Sequence, residues 1–354
     1  MEVVTNVPQG ARSVPENENV VSNEPFGRDR KYVVTYAFDE QLAPVVPLIP
    51  ALDLTDITAA RAELAALIES MPPPADTADV EIADVAAAGV TGSPDVRLRI
   101  YRPHTTSAEL LPAIYDIHGG GFVLGSTAIG EIPNRQLAAE VQAVVVSVEY
   151  RLAPEEPFPA GLEDCYAGLT WLADHAAEIG VDASRIVLYG ASAGGGLAAA
   201  LALLARDRGG PAIAFQALSY PQLDDRLRTS SMREYIDTPM WTRPLAELSW
   251  NAYLGAGVPG GSDVSHYAAP ARATDLAGLP PAYISVMHFD PLRDEGIAYA
   301  QALLAAGNTV ELHLFPGTFH GSAIVQSAEV SLREAAERSE VILRAIQSRP
   351  PVNG

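Results

Sequence analysis

Apolar residues along this chain gather in short, near-continuous runs, with stretches of helical spacing between them. The runs read as strands over 80–85, 96–101, 113–117, 143–150, 185–189, 212–219, 282–286 and 310–315. The stretches between read as helices over 162–179, 193–208, 293–306 and 328–347, the second ended by Gly209-Gly210 and the third by Gly307. Earlier, ITAARAELAALIES at 57–70 combines helical spacing with good helix formers, and Met71-Pro72-Pro73-Pro74 stops it. Apolar strands alternating with helices predict an α/β fold, a mostly parallel central sheet with helices on both faces. One long interruption, about 222–269, holds Tyr235, Trp241, Trp250, Tyr253 and Tyr267. It reads as a helical lid, joined by the N-terminal helix, or as a packing excursion with no part in a site. The expected divisions are a polar arm at 1–35, N-terminal cap helices at 36–75, core at 76–221, a cap insertion at 222–269 and the rest of the core at 270–354.

Composition narrows the function. The 354 residues are 48% hydrophobic and 19% charged, enough to bury a large core. With 44 acidic against 23 basic side chains the formal charge is -21, which disfavours nucleic acid and anionic membranes as partners and favours neutral small molecules. One cysteine, Cys165, excludes an internal disulfide framework. No apolar run approaches a membrane span, and residues 1–30 show no basic start followed by an apolar stretch, so the expected location is cytoplasmic. No two histidines stand at metal-ligand spacing with an acidic or cysteine partner, so a metal is not expected.

The sharpest motif is Gly190-Ala191-Ser192-Ala193-Gly194, which fits G-x-S-x-G. The pattern alone is weak, but a strand runs directly into it and an alanine-rich helix directly out. Such a reversal exposes the Ser192 hydroxyl and sets the Ala193 N–H at a helix N-terminus. The competing readings are a small-residue turn with an incidental serine, or a phosphate loop, which lacks its lysine. The run His118-Gly119-Gly120-Gly121-Phe122 follows another strand, where consecutive glycines can turn their N–H groups toward one point. Here the alternative is a flexible turn. Asp290 and His320 stand in loops beyond two later strands, where open α/β sheets build sites. The order Ser192, Asp290, His320 is that of α/β hydrolases.

With HGGGF at 118–122, YRLAPE at 150–155, GASAGG at 190–195, DPLRDEG at 290–296 and HG at 320–321, the chain resembles the bacterial hormone-sensitive lipase family of esterases. PMWTRPLAELSWNAYLG at 239–255 is similar in pattern, and the resemblance spans about residues 53–345. It implies an α/β-hydrolase fold with a helical cap, and hydrolysis of short- to medium-chain carboxylic esters without a cofactor. It also implies a triad of Ser192, Asp290 and His320. Gly120, Gly121 and Ala193 would be the oxyanion donors, with Gly119 shaping the loop. Phe122, Tyr220 and Trp241 are candidate pocket residues, and the partner is a small ester. A homodimer through the last strand, near 310–314, is a further expectation.

Three positions depart from the family's pattern. Ala191 stands where an aspartate often precedes the nucleophile, which removes a polar support of the glycine loop. Ser322 replaces an aromatic after His320-Gly321, which predicts a more open or more polar wall beside the histidine. Glu149 stands where aspartate is frequent. Asp294 and Glu295 are rival acids, expected instead to form ion pairs at a helix start. The other functional classes are a catalytically silent binding protein on the same scaffold, and an amidase, lactonase or deacetylase using the same triad. A dinucleotide-binding oxidoreductase is discarded, because no G-x-G-x-x-G follows the first strand.

Overall fold

The computed structural model describes residues 36–70, 79–105 and 109–347, so the expected arm at 1–35 and the proline stop at 71–74 lie outside the described residues. The described residues from 37 onward belong to one compact unit. Its frame is an eight-stranded sheet of order β1-β2-β4-β3-β5-β6-β7-β8. The strands are β1 (Val80–Ala87), β2 (Val96–Pro103), β3 (Leu111–Ile117), β4 (Val144–Glu149), β5 (Val181–Ala191), β6 (Phe215–Ser219), β7 (Ala282–Phe289) and β8 (Val310–Phe319). β1 and β2 pair antiparallel with each other, and β2 pairs antiparallel with β4. Every pair from β4 to β8 is parallel. This is the mostly parallel sheet that the apolar runs predict.

The helices are α1 (Ile57–Ser70), α2 (Glu131–Val141), α3 (Ala160–Asp174), α4 (Ala193–Arg208), α5 (Ser230–Glu234), α6 (Arg243–Leu254), α7 (Arg293–Ala305) and α8 (Glu329–Gln347). Side-chain alternation along the strands divides the core in two. Ala113, Tyr115 and Ile117 of β3 pack with α3, α4 and α7 on one face. Ile114 of the same strand packs with Leu137 and Val141 of α2 and Val341 and Ile342 of α8 on the other. All seven residues of β3 are buried, as a central strand covered on both faces requires. α4 is buried from Ala193 to Ala205, which explains why it is apolar all round.

α2 has no counterpart among the expected elements. Its segment EIPNRQLAAEV carries Pro133 and Asn134 and reads as loop, yet a proline in the first helical turn has no hydrogen bond to lose. The carboxyl of Asp116, buried on β3, holds this helix by accepting from Asn134 at 2.7 Å, and also accepts from Ser147 at 2.7 Å. α3 stops at Asp174 instead of running to residue 179, and His175 at its end stacks on Trp171. The insertion between β6 and β7 is helical, with α5 and α6. β8 lies at the sheet edge, with Leu312 and Leu314 exposed on it.

Candidate active site

Strand order reverses at β3, whose neighbours β4 and β5 lead in opposite directions across the sheet. Ligands of open α/β sheets sit outside the carboxyl ends of the strands at such a switch point. The glycine loop leaves β3 there and Ser192 leaves β5 beside it. Ser192 joins β5 to α4 with φ 58° and ψ −122°, a backbone setting that costs energy for any residue with a Cβ. Hydrogen bonds hold it. Its N–H donates to Ser219 O at 2.9 Å, and its carbonyl accepts from Gly196 and Gln222 N–H, both at 3.0 Å. The turn closes only because its neighbours are small: a Cβ on Gly194 would lie 2.0 Å from Ile117 O.

Asp290 follows β7 and is fully buried. One carboxylate oxygen accepts the Leu292 N–H at 2.8 Å. The other lies 2.7 Å from Nδ1 of His320, just beyond β8. A carboxylate there can only accept, so Nδ1 carries the proton and the lone pair of Nε2 faces outward. Nε2 is 2.9 Å from Ser192 Oγ. The three side chains expected from sequence thus come together in one relay able to draw the proton from a hydroxyl. Ser192 and His320 are each 7% exposed, which keeps the relay in a low-dielectric setting with an opening to solvent.

Beside Ser192, the glycine loop takes φ 120° at Gly120 and 59° at Gly121. Only glycine adopts such angles cheaply. A Cβ on Gly119 would lie 2.9 Å from Ala191 O, so the loop runs tight against the serine turn. Among the described residues no protein acceptor takes the N–H of Gly120, Gly121 or Ala193. The His118 ring stacks on Tyr150 at 4.2 Å, and its Nδ1 is 2.8 Å from Gly119 O. Burial drives its pKa below the ordinary value, so the ring stays neutral. It is a brace of the loop.

The YRLAPE stretch supports the same loop, a task its sequence does not announce. Tyr150 Oη donates to His118 O at 3.0 Å, and the Ala153 N–H donates to Phe122 O at 3.0 Å. Arg151 grips the buried Asp164, donating to its carboxylate from the backbone and the guanidinium at 2.8 Å. Arg61 of α1 donates to Val123 O and Ala153 O, each at 2.8 Å, and pairs with Glu155. Nothing in the α1 sequence singles this arginine out.

Of the pocket candidates, Tyr220 meets the His320 ring edge-on at 5.0 Å and Trp241 lies 5.7 Å from it. Phe122 is 2% exposed and stacks on Tyr253 at 4.0 Å, so its ring fills the space between loop and insertion. Ser322 is 1% exposed, and its hydroxyl finds no partner among the described residues, so it adds no open polar wall beside the histidine. Of the rival acids, Asp294 pairs with Arg293 at 2.8 Å as expected. Glu295 does not. It is fully buried, accepts the Leu223 N–H at 2.6 Å, and burial pushes its pKa well above the carboxylate range. Cys165 is buried. No group of three or more metal-ligating side chains gathers among the described residues.

A family model described as the alpha/beta hydrolase fold matches residues 114–324. The chain belongs to that family. The resemblance to hormone-sensitive-lipase-type esterases drawn from its motifs stands. The hydrolase is 44% identical over 239 residues to carboxylesterase NlhH of Mycobacterium tuberculosis, covering 66% of this chain and 73% of that one. It is 40% identical to esterase LipI of the same organism, covering 76% and 83%. A solved bacterial heroin esterase superposes on it with a TM-score of 0.86 at 49% identity, covering 88% of this chain and 99% of that one. No helix among the hydrolase's described residues is long and apolar enough to cross a membrane.

Proposed function

We propose that Ser192, His320 and Asp290 are the catalytic triad of this carboxylic-ester hydrolase, and that short- to medium-chain esters are its substrates. The observation that carries the triad is the unbroken relay from Asp290 through His320 to the hydroxyl of Ser192, at 2.7 and 2.9 Å. In this reading Ser192 Oγ attacks the ester carbonyl while His320 Nε2 takes its proton. Asp290 holds the imidazole in the working tautomer and stabilises the imidazolium that forms. The developing oxyanion turns toward the N–H groups of Gly120, Gly121 and Ala193, with the positive end of the α4 dipole behind the last. His320 then hands its proton to the leaving alcohol. Water, deprotonated by the same ring, attacks the acyl-enzyme, and Ser192 regains its proton as the acid departs.

The insertion acts as a cap in this reading, because Trp241 and Tyr220 wall the histidine with aromatic surface. The solved relative is named as a heroin esterase, and the aromatic surface of Tyr220 and Trp241 beside the histidine suits an ester substrate. The silent binding protein considered from sequence has no observation in its favour. The edge position of β8, with Leu312 and Leu314 exposed on it, supports the homodimer. A cytoplasmic setting is compatible with Cys165, which is free and buried.

An acyl series of p-nitrophenyl esters from acetyl to dodecanoyl tests the substrate claim. The reading expects kcat/KM to peak at short or medium chains and to fall steeply beyond. A maximum at dodecanoyl refutes the chain-length claim, and full turnover in Ser192→Ala refutes the triad.

A further inference from the structure

A hole lined by three glycines must hold its amides still, and glycines have no side chains with which to do so. In a trans peptide the N–H points opposite to the carbonyl of the residue before it, so an anchored carbonyl fixes the next amide. Gly119 O meets His118 Nδ1 at 2.8 Å, which sets the Gly120 N–H. Gly120 O takes the N–H groups of Val123 and Leu124 at 3.1 and 2.8 Å, which sets the Gly121 N–H. Gly121 O takes the hydroxyl of Ser249 at 2.7 Å, which sets the Gly121–Phe122 peptide plane and so holds the loop on the far side of the Gly121 donor. The first two anchors belong to the loop itself. The third comes from α6 of the insertion, 128 residues further along the chain.

Ser249 is fully buried. It shares the inward face of α6 with Leu245, Ala246, Trp250 and Tyr253. Its one proton goes to Gly121 O, so its contact with Gln222 Nε2 at 3.2 Å must use its lone pair. Gln222 is also fully buried, and its main-chain N–H donates to Ser192 O at 3.0 Å. Two side chains therefore link the residue bearing the nucleophile to the loop opposite. Trp241 closes the same point, since a Cβ on Gly121 would lie 2.7 Å from its Cη2.

We infer that Ser249, backed by Gln222, is a positioning residue that fixes the glycine loop from the insertion by holding the peptide that follows Gly121, so that the loop is held on both sides of that donor only when the insertion is seated. This rests on the reading of Ser192 as nucleophile and Gly121 as oxyanion donor. It gives the insertion a part in catalysis beyond walling the pocket, because seating it supplies one of the three anchors.

Steady-state kinetics of the full chain on p-nitrophenyl acetate and butyrate provide the test, together with inhibition by a trifluoromethyl ketone, whose adduct with the serine carries the same tetrahedral oxyanion. Ser249→Ala lowers kcat and kcat/KM together by roughly tenfold and leaves KM within about twofold, as loss of a transition-state interaction does. Inhibitor affinity falls by the same factor, and Ser249→Thr, which keeps the hydroxyl, recovers part of the loss. Gln222→Met costs less, about threefold, and adds nothing to Ser249→Ala, because the two act in series. Wild-type kcat and inhibitor affinity in Ser249→Ala overturn the inference. So does a loss confined to KM and melting temperature, the mark of packing alone. Should Ser249→Ala fail to fold, Gln222→Met decides on the same readouts, with unchanged kcat and inhibitor affinity overturning it. A wild-type protein that turns over no ester overturns the enzyme reading and this inference together. Full activity in Ser249→Ala overturns this inference alone.

Discussion

Single atoms decide whether the site works. Asp290 matters through one carboxylate oxygen 2.7 Å from Nδ1 of His320. Asp290→Asn keeps the shape but presents an amide able to donate, which favours the wrong tautomer. The expected outcome is a fall in kcat of about four orders of magnitude with little change in KM, read from pre-steady-state and steady-state assays. Gly121→Ala fails for a different reason. Its φ of 59° strains an alanine, and the new methyl would press on Trp241 at 2.7 Å. A kcat loss of about a hundredfold is expected, the scale of losing one oxyanion donor, and near-wild-type turnover would show that the donor lies elsewhere. At this scale the triad and the glycine loop were legible, because small residues at fixed spacing between strand and helix leave few alternatives. Ser249, Gln222 and Arg61 were not. A buried serine on a helix and an arginine on another look like any serine and arginine until the fold brings them against a carbonyl.

Elements carry the same logic further. α1 has one fully buried residue, Ala60, with Ile57 and Leu64 half-buried against the core, so the guanidinium of Arg61 and the two carbonyls it holds add substantially to its anchorage. The Arg61–Glu155 pair is largely solvated and contributes little by itself. Arg61→Ala is expected to speed amide hydrogen exchange across residues 57–70 by about tenfold, equivalent to about 1.4 kcal/mol of local stability, and to leave α4 unchanged. Equal acceleration in α4 would mean that the arginine supports the whole fold. Most elements could be read from the apolar pattern, since strands buried on both faces and an all-apolar α4 have few rivals. α2 escaped because Pro133 and Asn134 imitate a loop. The insertion was legible as a helical lid but the bounds of α5 and α6 were not, because α5 has only 5 residues and α6 buries a single face set between loops.

For the molecule as a whole, charge is the distinctive quantity. The chain carries a formal -21, and several of its acids are deeply buried. Glu334 of α8 is one, lying beside the half-buried Arg338, with Glu337, Tyr189, Tyr220 and Tyr283 around that pair. Burial lifts its pKa from the ordinary 4.5 to about 7. Between those values the folded protein holds a proton that the unfolded chain has released, so stability falls as pH rises from about 4.5 to about 7. The cost above that window is about 3 kcal/mol. Burial moves Asp116 and Glu295 the same way. His118 and His288, with pKa lowered by burial, pull the opposite way, so the Glu334 contribution is read by difference: in urea unfolding at pH 5 and pH 8, Glu334→Gln is expected to gain stability relative to wild type at pH 8 over pH 5. A pH difference that the substitution leaves unchanged would contradict this assignment.

The central claim is that the hydroxyl of Ser192 becomes covalently acylated. Intact-mass and peptide-mapping mass spectrometry of the full-length protein after treatment with a fluorophosphonate tests it most directly. One adduct per chain is expected, located on Ser192, absent from Ser192→Ala and slow to form in His320→Ala. An adduct mapped to another residue, or an unlabelled Ser192 in protein that still hydrolyses esters, would contradict the account.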